Sequence, residues 1–373
     1  MILKSIQLKN FRKHKIISLD FSNRLNYIIG GNGQGKTTIL EAVFYLCTTR
    51  SHNTKSDSEA VSFSENEFEI TGKFRGMTES NTRVHYVLNQ NKKSYFKDDK
   101  QVARASDVIG KFPVVLLSPE DHSITQGAPS ERRRFVDSVI SQANETYLRN
   151  LIDYNKVLKQ RSSLLNQLRE TRNNLPGRIL EELQAWSSVL VQTGSYLIKQ
   201  RKKFIDGFIE YVTDSYGVIM DTAEKPGIEY SFLNDYKNFD IEDEFKRQLE
   251  EREEEEIARG TNLIGPQRDD FIFSIDGYNL KTFGSQGQHK TFQVVLRFAE
   301  FFYLKELTGT EPIFLLDDVF GELDAGRAGR ISEYLTGVGQ AIITVTDLAD
   351  LSLLKRNEPD RLIKLYEGEV VYA

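Results

Sequence analysis

Apolar residues recur along the chain in more than one rhythm. Near the start they alternate with polar neighbours or gather into short runs, as strands do. Ile6 and Leu8 alternate with polar residues, the mark of a half-buried strand, and Leu25 to Ile29 forms a short apolar run. That run enters a glycine-rich turn, after which Thr37 to Cys47 follows helical spacing. Between residues 66 and 97 the pattern predicts several antiparallel strands, with Phe68, Ile70, Val84, Tyr86 and Val87 as core positions and a turn at Asn89 to Asn91. Val114 to Leu117 is fully apolar and is halted by Ser118 and Pro119, as a buried strand would be.

From Ser130 the period lengthens. Phe135, Val139, Leu148, Leu151, Leu158, Leu165 and Leu168 fall at helical spacing. Arg172 to Gly177, with Pro176 and Gly177, interrupts the pattern. It then resumes through Ile179, Leu183, Trp186, Leu190, Leu197, Phe204, Phe208 and Val212. Two long helices around a tight break predict an antiparallel helical hairpin, each arm at most about 60 Å long. The glutamate-rich run Glu250 to Glu256 reads as a solvated helix face. After Gly260 the mixed pattern returns. Asp276-Gly277 marks a hairpin turn, and Ile313 to Leu316 and Ala341 to Val345 are apolar strands. The layout is α/β: a head formed by 1–125 with 258–373, interrupted by a helical arm over 126–257.

Composition adds a compartment and a partner. The chain has 373 residues, 39% hydrophobic and 28% charged, as a soluble two-domain protein does. Its single cysteine, Cys47, excludes an internal disulfide and suits a reducing cytoplasm. Lys4 and Lys9 break the apolar start, so it lacks a signal-peptide core, and no run is long enough to span a membrane. The net charge of −5 argues against nucleic acid, yet residues 1–104 carry 17 Lys/Arg against 10 Asp/Glu, or +7, and the remainder carries −12. A basic lobe of that kind suits a polyanion; the alternative is chance clustering on a solvated face.

Three segments carry chemistry. Gly30, Gly31, Asn32, Gly33, Gln34, Gly35, Lys36 and Thr37 match G-x-x-x-x-G-K-[ST], between a strand and a helix. The glycines let backbone N–H groups converge on phosphate oxygens, Lys36 reaches the β- and γ-phosphates, and Thr37 offers a hydroxyl to Mg²⁺. Thr38 follows in the same helix start. Ile313 to Leu316 ends in Asp317 and Asp318, adjacent carboxylates that are costly at a buried strand end without a cation. Asp317 would hold Mg²⁺ and Asp318 would orient or deprotonate the attacking water; the competing assignment is a helix cap after Phe320. Ser285, Gly287 and Gln288 precede a helix, an anion site or else a plain hairpin end. The order P-loop, S-x-G-Q, D-D strand, then Glu322-Leu323-Asp324 is that of an ABC-type ATPase. In that class the signature of one protomer caps the γ-phosphate held by the other.

Further segments narrow the likeness. Asn10-Phe11-Arg12, Gly31 to Lys36, Arg50-Ser51-His52, Ser118-Pro119-Glu120-Asp121, Glu131-Arg132-Arg133-Arg134-Phe135, Gly265-Pro266-Gln267-Arg268-Asp269-Asp270 and Ser285-Gln286-Gly287-Gln288 resemble RecF-family motifs, in the family's order and over essentially the whole chain. The arginine trio taken alone also suits a solvated helix face. The resemblance implies ATP and Mg²⁺ as ligands, Arg12 near the phosphates, an ATP-dependent homodimer, duplex and gapped DNA as target, and the mediator RecR as a partner. Against the wider ABC pattern, Asp318 replaces a glutamate, which suggests slow hydrolysis. Ser118 stands at the Q-loop position, and Thr346-Asp347 stands where a switch histidine is expected. His289 and Gln267 also depart from typical family motifs. The arm, about Ser130 to Val218, is far shorter than the coiled coils of SMC proteins.

The sequence thus points to a DNA-repair ATPase that helps load recombinase. An ABC transporter subunit is the main alternative, against which the hairpin arm, the missing switch histidine and the RecF-like segments weigh; a P-loop kinase is the next, and it has no use for S-x-G-Q or Glu322-Leu323-Asp324. Candidate DNA phosphate contacts on the basic lobe are Arg50, Lys55, Lys92 and Lys93.

Overall fold

A computed structural model describes residues 1–54, 56–171, 177–220, 224–233, 240–322, 325–346, 358–366 and 369–372. Its first elements are β1 (Ile2–Phe11), β2 (His14–Asp20), β3 (Leu25–Ile29), α1 (Lys36–Thr48), β4 (Glu67–Arg75), β5 (Glu79–Val87), β6 (Lys92–Lys97), β7 (Lys100–Gln101) and β8 (Val114–Leu117). Next come α2 (His122–Gln126), α3 (Pro129–Ala143), α4 (Glu145–Glu170), α5 (Gly177–Met220), β9 (Pro226–Ser231), α6 (Ile241–Glu251), α7 (Glu253–Arg259), β10 (Asp270–Ile275), β11 (Tyr278–Asn279) and α8 (Leu280–Phe283). The last are α9 (Gln286–Thr308), β12 (Ile313–Asp317), α10 (Ala325–Leu335), β13 (Ala341–Val345), β14 (Arg361–Tyr366) and β15 (Glu369–Tyr372). Two compact units divide the chain: Met1–Asp121 with Asp214–Ala223 and Lys290–Ala373, and His122–Thr213 with Glu224–His289.

The first unit has two sheets around α1. One is antiparallel in the order β2-β1-β4-β5-β6-β7. The other runs β15-β14-β3-β13-β12-β8 and is parallel except for β15. Strands β3, β8, β12 and β13 are buried throughout, which explains their continuous apolar runs. The antiparallel strands alternate: Phe68, Ile70, Val84 and Tyr86 point into a core that also holds Ile39, Leu40, Val43 and Leu46 of α1. Val87 does not join it. Period-two alternation puts Val87 on the face of Arg83 and His85, and Thr82 takes the inward position. Phe298 and Phe301 of α9 close the far side of the parallel sheet against Phe314.

In the second unit the expected helical hairpin is present, but its first arm is two helices. Asn144 is extended and its side chain accepts from Tyr147 N at 3.0 Å, so it ends α3 and caps α4. Helices α4 and α5 pair antiparallel: Leu165 and Leu168 pack with Leu183, and Arg161 Nε donates to Ser187 Oγ at 2.9 Å. The break at 172–176 lies outside the described residues. The glutamate run is not wholly solvated either. Glu256 is fully buried and pairs with the equally buried Arg161 at 2.7 Å, because an ionised carboxylate inside a hairpin needs a cation. The turn at Asp276-Gly277 has positive φ at both residues, 50° and 80°, as a two-residue hairpin requires.

The arginine trio also turns inward. Arg132 makes a bidentate pair with Asp270 at 2.7 and 2.9 Å, and Arg133 donates to the Asp269 carbonyl at 2.6 Å. Arg134 alone keeps to the surface, paired with Glu131. Arg201 holds Asp137 and Asp269 together, so two of the family-like segments lock onto each other inside this unit.

Candidate nucleotide site

The loop between β3 and α1 is shaped by its glycines. Gly33 and Gly35 have φ of 76° and 91°, a region that disfavours side chains. At Gly35 a Cβ would lie 2.4 Å from His14 Nε2 as well. Helix α1 starts at Lys36 with no side-chain cap, whereas α4 and α6 cap their first turns with Asn144 and Asp240. The first N–H groups of α1 are thus left to an anion, with the positive end of the helix behind them. The Lys36 ammonium is curled onto the carbonyls of Gly30 at 2.6 Å and Gly31 at 3.3 Å. Burial pulls its pKa down, and the carboxylates of Asp318 and Asp317 oppose that shift.

Thr37 and Asp317 meet although 280 residues separate them. The Thr37 hydroxyl donates to Asp317 Oδ1 at 3.0 Å. Asp317 is 6% exposed at the end of β12, a position it reaches because β12 lies beside β13 in the parallel sheet. Thr344 on β13 completes the group. Its hydroxyl donates to Asp317 Oδ1 at 2.7 Å and accepts from Asp318 N at 2.9 Å. Sequence reasoning missed Thr344; its signal was a lone hydroxyl in an otherwise apolar buried strand. Asp318 itself sits at φ 49°, a left-handed turn that lifts its side chain off the strand direction. One carboxylate and one hydroxyl on adjacent edges make an oxygen pair that suits a hard dication.

The hairpin tip joining β1 and β2 lies against this loop. Arg12 Nε and Nη2 grip the Glu41 carboxylate at 3.1 and 2.7 Å, and Nη1 donates to the Glu59 carbonyl at 3.0 Å. Glu41, on α1, is 2% exposed and also accepts from Ser51 Oγ. Lys13 donates to the Gly33 carbonyl, and His14 Nε2 lies 3.2 Å from the Gly35 carbonyl. His52 stacks edge-on against Phe44 at 5.3 Å, and burial lowers its pKa. At the Q-loop position, Ser118 N donates to Asp121 at 3.3 Å, and Asp121 is held by Arg297 at 2.7 and 2.9 Å.

The signature segment belongs to the second unit. Ser285 Oγ accepts from Gln288 N at 3.2 Å, while Gln288 Oε1 accepts from Ser285 N at 3.0 Å. This reciprocal capping box at the start of α9 was readable as S-x-x-Q and was overlooked. Ser285 is exposed and Gly287 half-buried. Glu322 lies at the end of a short turn, while Leu323, Asp324 and Asp347 fall outside the described residues.

The candidate DNA contacts are not equivalent. Arg50 and Lys92 are exposed, and Lys55 lies outside the described residues. Lys93 points to the opposite face of β6 from Lys92. Its ammonium is bound to Asp57 at 2.8 Å and to the Thr49 carbonyl at 2.7 Å, and it lies over the Tyr45 ring. The sequence neighbours Lys92 and Lys93 therefore do not form one basic pair.

The family model described as RecF/RecN/SMC N terminal domain matches residues 2–367. The chain is 39% identical to the DNA replication and repair protein RecF of Salinibacter ruber, over 93% of this chain and 85% of that one. It is 38% identical to the RecF of Chloroherpeton thalassium, covering 96% and 98%. Among solved structures, the recombination mediator protein RecF-ATP of the RecFOR pathway superposes with a TM-score of 0.89 at 31% identity, over 100% of this chain and 97% of that one. An Smc head bound to the C-winged helix domain of ScpA gives 0.57 at 13% identity, over 100% and 98%, a likeness of fold.

Proposed function

Since the chain belongs to the RecF family, we propose that it binds ATP and Mg²⁺ at the Gly30–Thr37 loop, dimerises head to tail on that nucleotide, and holds duplex and gapped DNA in recombinational repair. It is an ATPase of DNA replication and repair on an SMC-like head. The observation that carries the reading is the Thr37–Asp317 contact at 3.0 Å beneath an uncapped helix start. Hydroxyl and carboxylate oxygens that suit Mg²⁺ converge there with an ammonium and helix-start N–H groups that suit phosphate.

Within this reading 1–125 with 258–373 is the ATPase head and 126–257 its helical arm. Residues Gly30 to Thr38 cradle the phosphates, and Lys36 leaves its carbonyl contacts for the β- and γ-oxygens. Arg12 supports the cradle from the hairpin tip through Glu41. Bound between Thr37 and Asp317, Mg²⁺ would neutralise charge on those oxygens. Asp318 orients or deprotonates the attacking water, slowly, since its carboxylate has one methylene less reach than a glutamate. Ser285, Gly287 and Gln288 face the γ-phosphate held by a second copy. The basic N-terminal lobe, with Arg50, Lys55 and Lys92 as candidates, meets DNA phosphates. RecR is the protein partner that a RecFOR mediator suggests. Among the described residues no helix is long and apolar enough to cross a membrane. The family match favours the repair reading, and with it the cytoplasm, over the transporter one.

Sedimentation with ADP, ATP and a slowly hydrolysed analogue, with and without gapped duplex, tests the reading. ATP and the analogue are expected to give a dimer, and DNA to favour it further. Lys36→Met is expected to stay folded and monomeric. A wild-type chain that remains monomeric in every nucleotide would overturn the head-to-tail model.

A further inference from the structure

Two cations occupy the β1–β2 hairpin tip beside the P-loop, and they are in different states. Arg12 is committed: its guanidinium is bidentate to the buried Glu41 carboxylate, and its third contact is the Glu59 carbonyl. Its charge is cancelled where it stands. Lys13 is exposed and has no carboxylate partner among the described residues; its ammonium donates to the carbonyl of Gly33, inside the loop. Lys36 shows the same pose on the carbonyls of Gly30 and Gly31. A carbonyl is a neutral acceptor. A phosphate oxygen is charged and attracts either ammonium more strongly.

The tip is also fixed in place. His14 is 4% exposed, its ring lies 3.2 Å from the Gly35 carbonyl, and any Cβ at Gly35 would collide with it. Burial pushes the His14 imidazole below its ordinary pKa, against the raising effect of its contact with the Gly35 carbonyl, and the ring anchors the tip. ATP carries more negative charge than Lys36 and a bound Mg²⁺ together balance, and Lys13, with no carboxylate partner among the described residues, already rests on the loop. Resting on the ATP-site reading above, we propose that Lys13 is a second phosphate-binding cation of this loop. It is parked on Gly33 when the loop is empty and swings to the polyphosphate when ATP enters, and it makes the site select for phosphate number.

Nucleotide titrations of Lys13→Met, Lys13→Gln and Lys13→Arg against ATP, ADP and AMP test this. Lys13→Met is expected to weaken ATP about tenfold at low salt, as loss of one charge-assisted contact does, with the deficit shrinking as salt rises. ADP should lose less and AMP nothing. Lys13→Gln, which can still donate to Gly33 but carries no charge, should match Lys13→Met, and Lys13→Arg should recover most of the affinity. An unchanged ATP affinity in Lys13→Met, an equal loss for AMP, or full rescue by Lys13→Gln would overturn the assignment and leave Lys13 a prop for the loop. Lys36→Met run in parallel separates the two readings. If it binds ATP normally the nucleotide site itself is misassigned. If it loses ATP while Lys13→Met binds as wild type, only the Lys13 assignment fails.

Discussion

Replacing Thr344 by valine removes one hydroxyl and almost no volume, yet that hydroxyl serves both carboxylate residues of the site. It donates to Asp317 Oδ1 at 2.7 Å and accepts from Asp318 N at 2.9 Å. A hydrogen bond to a charged acceptor contributes about 1.5–3 kcal/mol, and an N–H left without an acceptor costs about 1–3 kcal/mol. The sum, about 2.5–6 kcal/mol, falls on the orientation of Asp317 and on the left-handed turn at Asp318, where φ is 49°. If about half of it is felt in the transition state, turnover falls by roughly 10- to 100-fold. Steady-state ATP hydrolysis measured across a range of Mg²⁺ concentrations is the assay. Thr344→Val should turn over slowly and need more Mg²⁺, with ATP affinity in the absence of Mg²⁺ close to wild type. Thr344→Ser, which keeps the hydroxyl, should stay near wild type. Wild-type turnover and Mg²⁺ dependence in Thr344→Val would show that the hydroxyl does not position the carboxylates, and the geometry argued for Asp317 and Asp318 would fall with it.

Ser285→Arg should leave ATP binding by the monomer intact and abolish the ATP-dependent dimer; equal dimer formation in sedimentation would rule out the signature as a contact in trans. Lys92→Ala should lower the log–log salt slope of duplex binding in the ATP state by about one unit per protomer, whereas Lys93→Ala should leave the slope unchanged because its ammonium already belongs to Asp57. The reverse order of effects would refute that assignment. Arg161→Met strands the fully buried Glu256 and should cost about 3–5 kcal/mol, read as faster hydrogen exchange across 253–263, with recovery in Arg161→Met/Glu256→Met. Unchanged exchange in the single variant would mean the pair holds nothing together.

The sequence reveals this protein best where chemistry is local. The P-loop declares itself because loop, lysine and helix start are contiguous, and the D-D strand because an apolar run ends in charge. Partners distant in sequence were harder to see. Thr344 looks like any strand threonine until the parallel register sets β13 beside β12. Glu41 reads as one more helix residue until Arg12 arrives from the hairpin. Glu256 sits in a run that composition assigns to solvent, and only the fold supplies Arg161 as its cation. Lys92 and Lys93 look like a pair by spacing, yet strand alternation sends them to opposite faces. Asn144 was legible in principle, since an asparagine before a glutamate opens many helices, but the apolar period runs across it unbroken.

The parallel sheet has a consequence for how the chain is made. Strand β3 has no neighbour among the strands close to it in sequence. It pairs with β13, Leu25 opposite Ala341, and with β14, Asn26 opposite Arg361. The antiparallel sheet, by contrast, closes through hairpins and the nearby β1–β4 pairing, all within the first 101 residues. During synthesis that sheet has all of its strands early, while the strand that aims the P-loop waits for more than 300 residues. The nucleotide cradle is therefore among the last features to form. Any chain interrupted before Val345 would carry an intact phosphate-binding motif and no site in which to use it.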